Sequence, residues 1–265
     1  MGNTIVLYTI LFSAVIWILI RLLRGYYRRI STGDMSIDVI EGNTGQSAGE
    51  YDDNYDTDDD GPDETREIPH DTAIVLMGDS MFANEEYMDK KDPTELSVYK
   101  AVRRQHSNVF KTAEDNSTME NIKGQFITIP AKIKQSKKSR LFISVGGNDI
   151  LNNYSQRNPD VDDMSILDAL FEKYKKLIQY LQQNISGKII LTNIYYPVSK
   201  KYKKYHPVIK RWNRKQSSFA DSIDANVFSI EGILVKSGDF TEDIEPSATG
   251  SRKIANEIIR ITQDI

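Results

Sequence analysis

Beyond residue 71 the chain alternates between short, uniformly apolar runs and longer stretches with helical spacing. Residues 72–77, 108–112, 140–145, 188–193 and 226–230 carry Val, Ile, Leu and Phe with little polar alternation, the pattern of strands covered on both faces. Between them, Leu167, Leu170, Phe171, Tyr174, Leu177, Ile178 and Leu181 recur at the three-and-four spacing of a helix face. Residues 96–105 and 254–261 supply further helices. Strands alternating with helices predict an α/β domain over residues 71–265, built as a doubly wound, flavodoxin-like, five-stranded parallel sheet.

The chain before this domain has a different pattern. Residues 4–23 are almost purely apolar and are interrupted only by Arg21. About 20 such residues, rising 1.5 Å each, cross the ~30 Å hydrocarbon core of a bilayer. A cleaved secretory signal would place its positive charge before the apolar run, whereas here Arg21, Arg24, Arg28 and Arg29 follow it, with Tyr26 and Tyr27 as interfacial aromatics. Residues 1–30 therefore read as a single transmembrane helix with a basic flank, and the positive-inside rule puts the C-terminal domain in the cytoplasm.

Residues 31–70 are poor in large apolar groups and culminate in an acidic run from Asp52 to Glu64. Self-repulsion without a core predicts a disordered tether. The run lacks the Gly and terminal Glu spacing of a calcium-binding EF-hand loop.

Composition narrows the chemistry. The chain has no cysteine, which removes disulfides, thiol nucleophiles and Cys-based zinc sites. Its 34 Lys and Arg nearly balance 38 Asp and Glu, so overall charge names no polyanionic partner and nucleic acid is not expected. One stretch is locally basic: Lys200, Lys201, Lys203, Lys204, Lys210, Arg211, Arg214 and Lys215, interleaved with Tyr202, Tyr205 and Trp212. It reads either as a solvated helix face or as a grip on phosphate groups, for which an anionic lipid surface is the economical partner of a bilayer-tethered domain.

Ligands of doubly wound sheets bind beyond the carboxyl ends of the strands. Directly after the first strand comes Gly78-Asp79-Ser80, and after the third comes Gly146-Gly147-Asn148-Asp149. A third segment near the C-terminus reads Asp243-Ile244-Glu245-Pro246-Ser247 and runs into a helix. Together these blocks resemble the SGNH hydrolases, also called GDSL esterases, from about residue 71 to the C-terminus.

The resemblance implies a small ester substrate, no metal or organic cofactor, and an acyl-serine intermediate on Ser80. It further implies an oxyanion site made by the N–H of Ser80, that of Asn116 and the side-chain amide of Asn148. Gly147 belongs to the same block. The family's last block is an Asp-x-x-His-Pro carrying the base, whereas this chain has Glu245 at the histidine position and Glu242 at the aspartate position, with Asp243 beside it. Glu245 is thus the expected base, since burial raises a carboxyl's pKa toward neutrality. The alternative is a binding or structural membrane protein that keeps the fold without turnover. Of the three histidines, His70 and His106 precede the first and second strands, at the wrong end of the sheet. His206, after the fourth strand, is the topologically permitted substitute. Asp79 and Asp149 read as loop-building carboxylates bonded to backbone amides.

Overall fold

The computed structural model describes residues 67–155 and 164–265. The span expected over residues 4–23 and the acidic segment as far as residue 66 lie outside them. Among the described residues no helix is long and apolar enough to cross a membrane.

Five parallel strands form the central sheet: β1 (Ile74–Gly78), β2 (Val109–Lys111), β3 (Arg140–Ser144), β4 (Lys188–Thr192) and β5 (Asn226–Phe228). Their order is β2-β1-β3-β4-β5, a doubly wound arrangement of the kind expected. Four fall within the apolar runs and β1 runs one residue past its own, to Gly78, while β2 and β5 are shorter because the chain leaves the sheet early at both edges. After β5 the chain turns at Ile230 into a short 3-10 segment, Ile230–Gly232.

Among the described residues seven helices flank the sheet: α1 (Val98–Gln105), α2 (Ile122–Thr128), α3 (Ala131–Lys134), α4 (Gly147–Tyr154), α5 (Met164–Asn184), α6 (His206–Ser222) and α7 (Ala248–Asp264). Successive side chains of a strand point to opposite faces, so each strand feeds two cores. On one face Val75, Met77, Leu141, Ile143, Ile189 and Leu191 pack against α2, α4, α5 and α6. On the other, Ile74, Leu76, Phe142, Ile190 and Phe228 pack against α1 and α7. This double cover explains why the strand sequences are apolar throughout and not alternating.

The hydroxyls of Ser97 and Ser247 accept from the amides of Lys100 and Gly250 and cap the starts of α1 and α7. The second cap sets where the chain leaves a two-stranded antiparallel ribbon, β6 (Phe240–Thr241) and β7 (Glu245–Pro246).

The switch point lies between β1 and β3, where the outgoing loops diverge to opposite sides. In the register Gly78 faces Ser144. Gly78 has φ +132°, and a Cβ on it would stand 1.8 Å from the Ser144 carbonyl oxygen. Only glycine allows this approach. Gly78→Ala is expected to cost more than about 3 kcal/mol of stability, read as a lower midpoint in urea; an unchanged midpoint would refute the close packing.

Candidate active site

Four loops meet at the carboxyl ends of β1 and β3. The first carries Ser80. Its neighbour Asp79 is buried and ties the two strand ends together: Oδ1 accepts from the Ser144 hydroxyl at 2.8 Å and from the Met81 amide at 3.2 Å, while the Asp79 amide donates to the Ser144 carbonyl at 3.1 Å. The loop-building role read from the sequence for Asp79 is therefore seen. Asp149 does the same at the third loop, accepting from the Met119 amide at 3.1 Å.

The second loop, after β2, is held by Gln125. Its buried amide group receives the Gly78 N–H at 2.8 Å, donates to the Gly78 carbonyl at 2.8 Å, and donates to the Ser117 hydroxyl at 2.9 Å. At the tip Asn116 adopts φ +58°, the left-handed region that Asn tolerates better than most residues. The backbone N–H groups of Ser80 and Asn116 have no hydrogen-bond acceptor among the described residues. They are available to an incoming oxygen.

The third loop brings Asn148, in the first turn of α4. Its Nδ2 donates to the Ser117 carbonyl at 2.9 Å, which ties this loop to the second and leaves one amide hydrogen unspent. Gly146, just before α4, has φ +113° and lies against Trp212, where a Cβ would come within 2.5 Å of the ring. Gly147 meets nothing within 4 Å of where a Cβ would be and lines open space at the cleft.

The fourth loop is the β6–β7 ribbon that presents Glu245. Glu242 and Asp243, with φ +46° and +73°, form its exposed turn. Glu242 is therefore a turn residue that acts on Glu245 through its charge. Asn84, wholly buried, joins this ribbon to the loop of Ser80: its Nδ2 donates to the Pro246 carbonyl at 2.9 Å and the Ser251 hydroxyl at 2.8 Å, and its Oδ1 accepts from the Val98 amide at 3.0 Å. Tyr195 steadies the other side by donating to the Ile244 carbonyl at 2.5 Å.

These constraints put Glu245 beside Ser80. Burial pushes its carboxyl up to about 7; the Ser80 hydroxyl, acting as a hydrogen-bond donor, opposes the rise, and the charges of Asp79, Asp115 and Glu242 reinforce it. Glu245 Oε2 is buried with no partner of ordinary hydrogen-bond geometry. Burial likewise pushes Asp79 up to about 7 against its bonds from Ser144 and Met81.

His206 is not brought in. It begins α6 in place of the expected loop, its Nε2 pairs with the Pro197 carbonyl at 2.8 Å, its ring packs on Tyr196, and it does not line the cleft. His106 pairs with the Thr72 carbonyl at 2.7 Å, at the far end of β1. Sequence reading missed Gln125 and the clamp that Asn84 forms. Among the described residues no group of three or more His, Asp or Glu is placed to hold a metal.

A cleft of about 60 Å³ opens from Ser80 toward the ends of β3 and β4. Its walls are mainly apolar: Val145, Ile150, Leu151, Ile194, Pro197, Ile209 and Ile244, with Tyr195, Tyr202 and Tyr205.

One end of a doubly wound sheet thus carries a serine after β1, an asparagine after β3 and a buried glutamate on the last loop. The sequence profile of the GDSL-like lipase/acylhydrolase family matches residues 74–258, and the chain belongs to that family. Solved structures share the fold. A member of the lipolytic G-D-S-L family from Veillonella parvula aligns at 16% identity and TM-score 0.55, covering 71% of this chain and 97% of its own. An acetylxylan esterase, Axe2 of Geobacillus stearothermophilus, aligns at 15% and 0.53, covering 74% and 95%. A GDSL-like lipase of Bacteroides thetaiotaomicron aligns at 14% and 0.52, covering 75% and 91%. No curated protein matches the chain.

The raised carboxyls make stability depend on pH. Asp79 holds its proton more tightly folded, with a pKa of about 7 against an ordinary 3.8, so its contribution is full below about pH 4 and is lost as pH rises through about 7. Asp79→Asn, which keeps an acceptor oxygen, is expected to be stabilised at pH 8 relative to pH 5 by about 3 kcal/mol compared with the native chain. Urea unfolding at the two pH values checks this, and parallel curves would refute it.

Proposed function

We propose that the protein is a serine ester hydrolase, with Ser80 as nucleophile and Glu245 as general base. One observation carries the reading: the Glu245 carboxyl is buried beside Ser80 with Oε2 left unpartnered, and that burial pushes its pKa up to about 7 against the pull of the Ser80 hydroxyl. A carboxylate in water is too weak a base for a serine hydroxyl. One poised near neutrality is matched to the task in the way imidazole usually is.

In this mechanism Ser80 Oγ attacks the ester carbonyl carbon as its proton passes to the Glu245 carboxylate. The carbonyl oxygen becomes an oxyanion, met by the N–H groups of Ser80 and Asn116 and the free amide hydrogen of Asn148. Collapse breaks the C–O bond, and the departing alkoxide takes the proton from Glu245. Water then attacks the acyl-serine and gives a proton to Glu245; collapse breaks the acyl–Oγ bond, Glu245 returns that proton to Ser80 Oγ, and the acid leaves. No metal or organic cofactor enters the scheme.

The apolar cleft beside Ser80 suits the acyl group of a small ester. The apolar run over residues 4–23 and the arginines after it support a single-pass membrane anchor with this domain on the cytoplasmic side.

With a short-chain aryl ester, Ser80→Ala and Glu245→Gln are each expected to lose at least about a thousandfold in kcat/KM. Asn148→Ala loses about a hundredfold, chiefly in kcat. Because only the ionised base is competent, native kcat/KM rises with pH up to about 7 and levels above it. Equal rates in the native and Ser80→Ala chains, or no labelling of Ser80 by a fluorophosphonate, would overturn the mechanism.

A further inference from the structure

The segment between β4 and α6 contains a strip that the ester-hydrolase reading leaves unused. Lys200–Tyr205, reading Lys-Lys-Tyr-Lys-Lys-Tyr, is a 3-10 helix. Three residues per turn place side chains at i and i+3 directly above one another. The repeat of three in the sequence therefore sorts its residues by face. Tyr202 and Tyr205 share the side that lines the cleft. Lys200 stacks with Lys203, and Lys201 with Lys204, on the two remaining sides, and all four are exposed.

The lysines are also outside the ion pairs of the domain. None of Lys200, Lys201, Lys203, Lys204, Lys210 and Arg214 takes part in an ion pair among the described residues, whereas Lys215, further along α6, is paired with Asp168 at 2.7 Å. The ammonium groups of Lys201 and Lys204 each stand 5.0 Å over the ring centres of Tyr202 and Tyr205, contacts that leave their outer sides to solvent. The exposed Lys210 and Arg214, one helical turn apart, extend the positive strip along α6. The result is a row of exposed cations along the rim of an apolar cleft.

We propose that this strip seats the domain on an anionic phospholipid surface, with the lysines among the headgroups and the cleft mouth turned toward the acyl region. The orientation of the tyrosines favours this partner over a nucleic acid. Binding of single strands uses outward aromatic rings as stacking platforms, but Tyr205 is buried and both rings face the cleft. Clustered lysines attract the negatively charged headgroups of a leaflet without any fixed geometry. A chain held to the same bilayer through residues 4–23 would meet that surface at high effective concentration. The docking rests on the proposed function only for its consequence, delivery of a lipid ester to Ser80.

The test uses the full chain mixed with nanodiscs of phosphatidylcholine alone or with about one-third phosphatidylserine. Lysines are acetylated with an N-hydroxysuccinimide ester and quantified by mass spectrometry. Labelling of Lys200, Lys201, Lys203 and Lys204 is expected to fall about tenfold on the anionic discs and to recover in high salt. Lys137, exposed at the opposite end of the sheet, is expected not to change. Hydrogen exchange over residues 202–209 slows on the same discs in the native chain but not in a chain with all four lysines replaced by Gln. Equal labelling on both discs, equal slowing in the Gln variant, or protection by RNA in place of lipid would each overturn the proposal. Ser80→Ala is expected to give the native protection, so loss of the hydrolase reading and loss of the docking are separable.

Discussion

The approach of Gly78 to Ser144 sets the geometry from which the site is built. With no Cβ between them, the ends of β1 and β3 close to contact, and the Asp79 carboxylate can reach across to the Ser144 hydroxyl. That bond defines the turn in which Ser80 stands. The same glycine is held from its other side by Gln125, which exchanges two hydrogen bonds with its backbone and passes a third to Ser117. Ser80, the loop of Asn116 and Asn148 are thereby referred to one backbone position. A shift of that position would move all three together.

Two buried carboxyls sit near this point, and their hydrogen bonding divides the work between them. Both are raised to about 7 by burial. Asp79 has an acceptor oxygen filled by a hydroxyl and an amide, so it is committed to structure. Glu245 keeps Oε2 without a partner beside the Ser80 hydroxyl. Mutual repulsion raises the cost of ionising both. A carboxylate kept short of hydrogen bonds keeps its affinity for the proton of a neighbouring hydroxyl.

Legibility in the sequence followed the range of the interactions. The five strands are readable because two covered faces leave a continuous apolar run, and Ser80 and Asn148 are readable because each follows such a run within a few residues. The family pattern located Glu245, although nothing local showed that it would be buried. Asn84 and Gln125 were not legible as clamps: their partners lie 162 and 167 residues away in one case and 47 in the other, and a polar residue in a loop or on a short helix gives no local sign of such bonds. His206 was misplaced because α6 starts earlier than the charge-rich sequence suggests. Its ring is then used to fasten the preceding loop to Pro197.

The distribution of charge around the cleft follows from strand order. The loop after β2 carries Asp115, whose charge raises the pKa of Glu245. The same charge repels an anionic substrate approaching from that side. Across the switch point, two strands away from β1, the segment after β4 carries the lysines. Cations beside Glu245 would stabilise its ionised form and lower its pKa. Lys201 comes near enough to attract Asp243, on the turn of the same ribbon, but the charges acting most on Glu245 are those of Asp79, Asp115 and Glu242, and solvent screening limits what exposed lysines contribute. The sheet thus combines a negative surround about Glu245 with a positive rim on the segment after β4, because the two charges occupy loops that leave the sheet on opposite sides of Ser80.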